Sequence, residues 1–182
     1  GCDAFSPGER DFSAGKDFIV EASKNTEFPF ISCNIYDLNE NLLFDPYVIY
    51  ESKETKIAFI GLSSFFESEG VNVKDPIESL KAILDEVTPK TDVRVLLFSS
   101  ANEDMKKVKA ENFDLSMVIR SKNKHKSLDG GKSIPTYSLG DRGRLLYAFD
   151  LEVNDPSIEF IDLASCERSI KESNINLNKM KK

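Results

Sequence analysis

Apolar positions along the chain recur in two periods, and the alternation between them predicts an α/β protein. Residues 11–24 carry Phe18, Ile19 and Ala22 at helical spacing, so a helix is expected there. Residues 28–33 read as a short buried strand. Residues 48–50 and 57–62 flank a polar turn at 51–55, the pattern of a hairpin, with Gly61 a natural tight exit from its second strand. The firmest helix begins at Asp75-Pro76-Ile77-Glu78: an Asp to cap, Pro at the first helical position and Glu two residues on. Ile77, Leu80, Ile83, Leu84 and Val87 then fall on one face.

A near-continuous apolar run at 93–98 has the character of a buried parallel strand. A Lys-rich surface helix at 102–112, with Met105 and Val108 inward, and a core strand at 115–119 follow. Beyond the loop through Asp129-Gly130-Gly131, strands are expected at 134–137, 145–153 and 158–163. Asn154-Asp155-Pro156 makes the turn between the last two. The stretch 164–182 begins helically, thins into Asn and Lys without a cap, and is expected to fray. No internal repeat interrupts this order.

Composition narrows the class. The chain has 182 residues, 40% of them hydrophobic and 30% charged, which suits one folded domain with its own core. Its net charge of −7 and pI near 4.9 repel a phosphate backbone, so no nucleic-acid partner is expected. No apolar run approaches the roughly 18 residues of a membrane span, so no transmembrane segment is expected, and residues 1–20 lack the plan of a signal peptide. Cys2, Cys33 and Cys166 are too scattered for a disulfide framework, and Cys33 reads as a buried free thiol. His125 is the one histidine, and a lone histidine cannot build the usual zinc or dimetal site.

Several segments, in order, resemble the 5′-nucleotidase branch of the calcineurin-like metallophosphoesterases. The stretch Asp3-Ala4-Phe5-Ser6-Pro7-Gly8-Glu9-Arg10-Asp11-Phe12 is similar to the family's Asp-Ala-x-x-x-Gly-Asn-His-Glu-Phe. Phe28-Pro29-Phe30-Ile31-Ser32-Cys33-Asn34, Pro46-Tyr47-Val48-Ile49-Tyr50, Lys56-Ile57-Ala58-Phe59-Ile60-Gly61-Leu62 and Asp75-Pro76-Ile77-Glu78 continue the likeness. So does Ile134-Pro135-Thr136-Tyr137-Ser138-Leu139-Gly140-Asp141-Arg142-Gly143-Arg144. The resemblance covers residues 3–153 and implies a layered α/β/β/α sandwich. The Asp-x-His and Gly-Asp-x-x-Asp motifs that open the family's domain do not occur. The chain therefore resembles the second half of that domain: residues 1–163 as a partial metallophosphoesterase-like unit, 164–182 as the start of a connector.

The same resemblance locates the expected chemistry. Family enzymes use two metals to turn water into a nucleophile against phosphorus. Where the family has Asn and its catalytic His, this chain has Glu9 and Arg10. Arginine has no free lone pair and stays protonated, so it cannot be a ligand. An Arg10–Glu9 ion pair filling the metal's space is one expectation, and an Arg10 that binds a phosphate or carboxylate ligand is the other. The family's Leu-Ser-His turn reads Phe98-Ser99-Ser100; serine is a poor ligand for such a site, and capping of the next helix is the expected job. The Gly-His-x-His turn is replaced by Arg120-Ser121-Lys122-Asn123-Lys124, with His125 a register slip away.

Arg10, Arg120 and Lys122, with Arg142 and Arg144, are expected near the cleft, either as solvated loop charges or as an anion pocket in which fixed cations replace metals. Ser99 and Ser100 lack the histidine that a nucleophilic mechanism needs. Asp129-Gly130-Gly131-Lys132 lacks P-loop spacing and reads as a turn. The expectation is a domain without catalytic residues or cofactor that binds an anion or a protein partner, a second copy included, or serves as a scaffold. Glu9, Arg10, Ser99, Ser100, Arg120 and Lys122 are its candidate positions. The alternative is a phosphoesterase using a divalent metal such as Mn or Zn, whose ligands lie upstream. The resemblance alone suggests a periplasmic or cell-surface location.

Overall fold

The computed structural model describes residues 1–52, 54–124, 126–129, 134–140, 146–155, 158 and 160–180. Its centre is a six-stranded sheet. In chain order the elements are α1 (Lys16–Lys24), β1 (Ile35–Asp37), β2 (Tyr47–Ser52), β3 (Thr55–Ser63), β4 (Val71–Val73), α2 (Pro76–Val87), β5 (Val93–Ser99), α3 (Asn102–Ala110), β6 (Met117–Ser121), β7 (Lys126–Asp129), β8 (Thr136–Leu139) and α4 (Leu163–Met180). The sheet order is β2-β3-β5-β6-β8-β7, with β1 and β4 forming a separate antiparallel pair. β3, β5, β6 and β8 run parallel; β2 and β7 close the edges antiparallel. The parallel register brings Ser63, Ser99 and Ser121 level at the carboxyl ends of neighbouring strands.

The two faces of the sheet are covered differently. Helices α2 and α3 cover one, where Leu80, Leu84 and Val87 meet Ile60, Leu62, Leu96 and Phe98 from the strands, with Met105 and Val108 behind them. Asp75 caps α2 by accepting from the backbone N–H of Ile77 and Glu78, at 2.8 and 3.0 Å. On the other face Val93, Val95, Met117 and Tyr137 are covered by Tyr147, Leu151, Val153 and Phe160 from an irregular segment. A third cluster, built on Phe12, Ile19, Ile35, Phe44, Phe66 and Val73, sits beside β1 and β4.

At the amino end of β5, Arg94 is buried. Its Nη1 donates to the Thr91 carbonyl at 2.8 Å, its Nε to the Asp114 carbonyl at 2.9 Å and its Nη2 to the Asp114 carboxylate at 2.7 Å. That end of the sheet is therefore tied off by a guanidinium engaged through all three of its nitrogens.

Several expectations change. The helix expected over 11–24 divides into a 3₁₀ turn, Glu9–Phe12, and α1, because Gly15 breaks the run at φ +91°. Phe18 is then 61% exposed and Ile19 carries the burial. Residues 28–33 form no strand. They act as a strap making single bridges to Phe5 and Asp45, and Cys33 N–H donates to the Gly61 carbonyl at 2.9 Å.

Gly61 is not the exit of β3, which continues to Ser63. A Cβ at 61 would lie 2.0 Å from the Ile31 carbonyl oxygen, so glycine is needed for the strap to cross. The core strand expected at 115–119 begins two residues later, and the loop before Asp129 contains β7. Since β7 takes the free edge of β8, the next segment has no edge to join. The described residues of 145–153 and 158–163 accordingly form no strand. Tyr147, Leu151, Val153 and Phe160 pack on the sheet, while Leu146, Ile158, Ile161 and Leu163 are exposed, and the described backbone does not pair. Finally, α4 does have a cap, the Asp162 carboxylate accepting from Ser165 N–H at 2.8 Å, and runs 18 residues with nearly every side chain exposed. Among the described residues no helix is long and apolar enough to cross a membrane.

Candidate functional site

The carboxyl ends of β5 and β6 meet the turn at Glu9–Phe12, and this corner holds all six candidate positions. Gly8 permits the meeting: a Cβ there would stand 2.2 Å from Ser99 Oγ. The turn is stabilised locally, with Gly8 N–H donating to the Asp11 carboxylate at 2.8 Å. A second tie holds the entering chain, where Ser6 Oγ donates to the Leu97 carbonyl at 3.2 Å.

Glu9 pairs with Lys122, Oε2 to Nζ 2.5 Å, and not with Arg10. Lys122 reaches it from the bend after β6, where its own φ is +62°. Arg10 is exposed and makes no side-chain bond among the described residues. The expected Arg10–Glu9 pair is thus replaced by a cross-chain one, made by the lysine of the third degenerate motif. Half exposure of Glu9 keeps its worth to about 0–1 kcal/mol.

Ser100 is fully buried and its oxygen accepts from Arg120 Nε at 2.5 Å. The Nη2 of Arg120 donates to the Ser100 carbonyl at 3.1 Å and to the Asn102 side-chain oxygen at 2.6 Å. Neither Ser99 nor Ser100 caps α3. The N-cap Ala101 provides no side-chain cap; Ser64, on the loop after β3, accepts from Ala101 N–H at 2.8 Å and donates to Asp104 at 2.6 Å. Sequence around the motif could not reveal this contact, because Ser64 lies 37 residues before Ala101.

Arg120 faces no carboxylate among the described residues. Burial lowers its pKa from the ordinary value, and it remains protonated. It borders a cavity of about 390 Å³ whose walls include Phe5, Leu97, Ile119, Tyr137, Tyr147 and Phe149, with Ser99 and Ser121 also on the lining. A larger cavity of about 910 Å³ lies under the irregular segment, beside Met117, Leu151 and Phe160, and touches none of the six candidate positions.

Among the described residues the donor set does not suit a dimetal site. Glu9 is neutralised by Lys122, Ser99 is pressed on Gly8, and Ser100 is occupied by Arg120. Among the described residues no three His, Cys, Asp or Glu side chains converge. His125, Arg142 and Arg144 and the 130–132 part of the glycine turn lie outside the described residues. Of the thiols, Cys33 is buried and pushed up to about 12 by that burial, which leaves it inert near neutrality.

No family model matches the chain. It is 30% identical to a 5′-nucleotidase of Vibrio cholerae over 99 residues, which is 50% of this chain and 18% of that protein. It is likewise 30% identical to a 5′-nucleotidase of Vibrio parahaemolyticus over 108 residues, 54% of this chain and 19% of that protein. In structure it is similar to a calcineurin-like phosphoesterase of Bacillus subtilis, with a TM-score of 0.62, 19% identity, and coverage of 75% of this chain and 53% of that one. A 5′-nucleotidase precursor of Thermus thermophilus gives a TM-score of 0.59 at 18% identity, covering 74% of this chain and 32% of that one. The chain thus spans about a fifth of the curated relatives it matches and a third to a half of these solved structures.

Proposed function

We propose that this chain, which carries the later part of a 5′-nucleotidase-type metallophosphoesterase fold, is a non-catalytic domain that binds an anion or a partner at the carboxyl ends of its central strands. The observation that carries the reading is the state of the three motif positions. They hold an ion pair between Glu9 and Lys122, a serine packed on glycine, and an arginine anchored to Ser100 and Asn102. Fixed cations there attract anions without the exchange chemistry of a metal. A periplasmic or cell-surface location goes with this reading, supported by likeness to a 5′-nucleotidase precursor of Thermus thermophilus.

One observation favours a second reading, a metal-dependent phosphoesterase: both Vibrio relatives are 5′-nucleotidases of which this chain matches less than a fifth. In that case the remaining ligands come from outside these residues. The deciding experiment uses the longest natural form of the protein with Mn²⁺, Zn²⁺ and Ca²⁺ supplied. Absence of bound metal and of hydrolysis of bis-p-nitrophenyl phosphate and AMP is the expected result. Near-stoichiometric metal, with turnover lost on chelation, overturns the non-catalytic reading.

A further inference from the structure

Glu9 and Lys122 meet from positions 113 residues apart, and the backbone delivers each of them to the meeting. Glu9 opens a turn that is fixed on its own account. Gly8 N–H donates to the Asp11 carboxylate at 2.8 Å, and Gly8 is pressed on Ser99 at the end of β5. Lys122 directly follows β6 with φ +62°, a left-handed conformation that a lysine adopts only against a steric cost. That cost is of the same order as the return from an ion pair open to solvent, and the side chains are 51% exposed for Glu9 and 37% for Lys122. Stability therefore does not account for the arrangement. What it achieves is a cation aimed at the turn from the carboxyl end of the sheet, with a carboxylate already on it.

That carboxylate is a monoanion at high effective concentration, because the chain tethers it. A free carboxylate would meet it at equal charge and without a tether, and would lose the contest. A phosphate dianion carries more charge and more acceptor oxygens, and its attraction to Lys122 rises in proportion to its charge. The ammonium of Lys122 acts as a point charge with three donors and no fixed plane, so it can pass from one oxyanion to another without rearranging its neighbours. Half exposure of both side chains leaves them open to an incoming anion.

We propose that Glu9 is a built-in competitor: its carboxylate holds the place on Lys122 that a phosphate dianion takes on binding, and each binding event displaces the Glu9 side chain. The inference rests on the anion-binding reading above and adds the restraint that the chain places on it.

The test titrates the longest natural form of the protein calorimetrically with inorganic phosphate, at fixed ionic strength and at a pH where phosphate is mainly the dianion. Glu9→Gln keeps the length of the side chain and removes its charge. It is expected to tighten phosphate binding about fivefold or more, the upper worth of an exposed ion pair expressed as a ratio. Glu9→Ala serves if the Gln variant fails to fold. Lys122→Met, placed in the Glu9→Gln background, is expected to cancel the gain. Glu111→Gln removes an exposed negative charge just after α3, at the opposite end of the sheet, and is expected to leave phosphate binding unchanged.

Equal phosphate affinity in the wild-type and Glu9→Gln proteins overturns the inference, and so does weaker binding in Glu9→Gln. An equal gain from Glu111→Gln also overturns it, since the effect would then be one of net charge. If phosphate binds the wild-type protein in an Arg10- or Arg120-dependent way that Glu9→Gln does not alter, the competitor inference falls while the anion-binding reading stands. If neither the wild-type protein nor Glu9→Gln binds phosphate, the inference and the anion-binding reading fall together.

Discussion

The two faces of the central sheet are built from the same strands and finished by opposite means. On one face, Leu80, Leu84 and Val87 bring helical ridges against Ile60, Leu96 and Phe98, in a covering layer whose backbone bonds run within its helices and end on the Asp75 cap. On the other, Tyr147, Leu151, Val153 and Phe160 rest on Val93, Val95 and Met117 from a segment whose described residues form neither helix nor strand. The second arrangement borders both cavities described above. A covering layer without its own hydrogen-bond pattern is cheap to displace, which suits a surface that must admit a ligand.

The sharpest way to break this comparison is truncation on each side. Leu80→Ala, at a position with no exposure, is expected to cost about 2–5 kcal/mol in chemical denaturation. Tyr147→Ala is expected to cost less than about 2 kcal/mol, since its side chain already borders empty space. Equal costs would mean that the irregular layer is as well packed as the helical one. Next in size is Ser64→Ala, which removes the bonds to Ala101 N–H and Asp104 at the start of α3 and is expected to cost about 1 kcal/mol, with loss of amide protection confined to the first turn of α3. Lys122→Ala is expected to change stability by less than about 1 kcal/mol, because its pair with Glu9 is half exposed.

Acid sharpens the comparison further. Hydrogen bonds from the Asn41 backbone and side chain hold Asp37 below its ordinary range, and Lys74 and Lys90 do the same for Glu40 and Glu86. A depressed native pKa stabilises the fold above the unfolded value and loses that contribution as pH falls through the native one. Urea midpoints are therefore expected to hold from pH 7 to about 5 and to decline below about 4. A midpoint that falls between pH 7 and 5 would contradict these assignments.

What the sequence revealed and what it hid follow from the range of each interaction. Asp75 and the spacing from Ile77 to Val87 lie within one helix, so α2 was legible from cap to end. The hairpin of β2 and β3 and the inward positions of Met105 and Val108 were legible for the same reason. The Lys122–Glu9 pair spans 113 residues, and no local pattern could announce it. Apolar runs over 145–153 and 158–163 suggested strands, but the edge was already taken by β7, and only Tyr147, Leu151, Val153 and Phe160 of these segments pack on the sheet. The candidate corner was located through the motif positions, while its aromatic walls became visible only once Phe5, Ile119 and Tyr147 were in one place.

The crossing of the strap over Gly61 has a consequence for cooperativity. Cys33 belongs to the cluster under α2 and Ile35 to the cluster beside β1, with one residue between them. That residue, Asn34, clamps the Ser63 and Lys74 backbone, donating to both carbonyls and accepting from Ser63 N–H. The strap is therefore a coupling between two cores, and the missing side chain at Gly61 sets how closely they are coupled. Calorimetry of the wild-type chain is expected to show one transition, with equal calorimetric and van 't Hoff enthalpies. Gly61→Ala lifts the strap by inserting a methyl at the crossing and is expected to split that transition in two, the β1 cluster melting first.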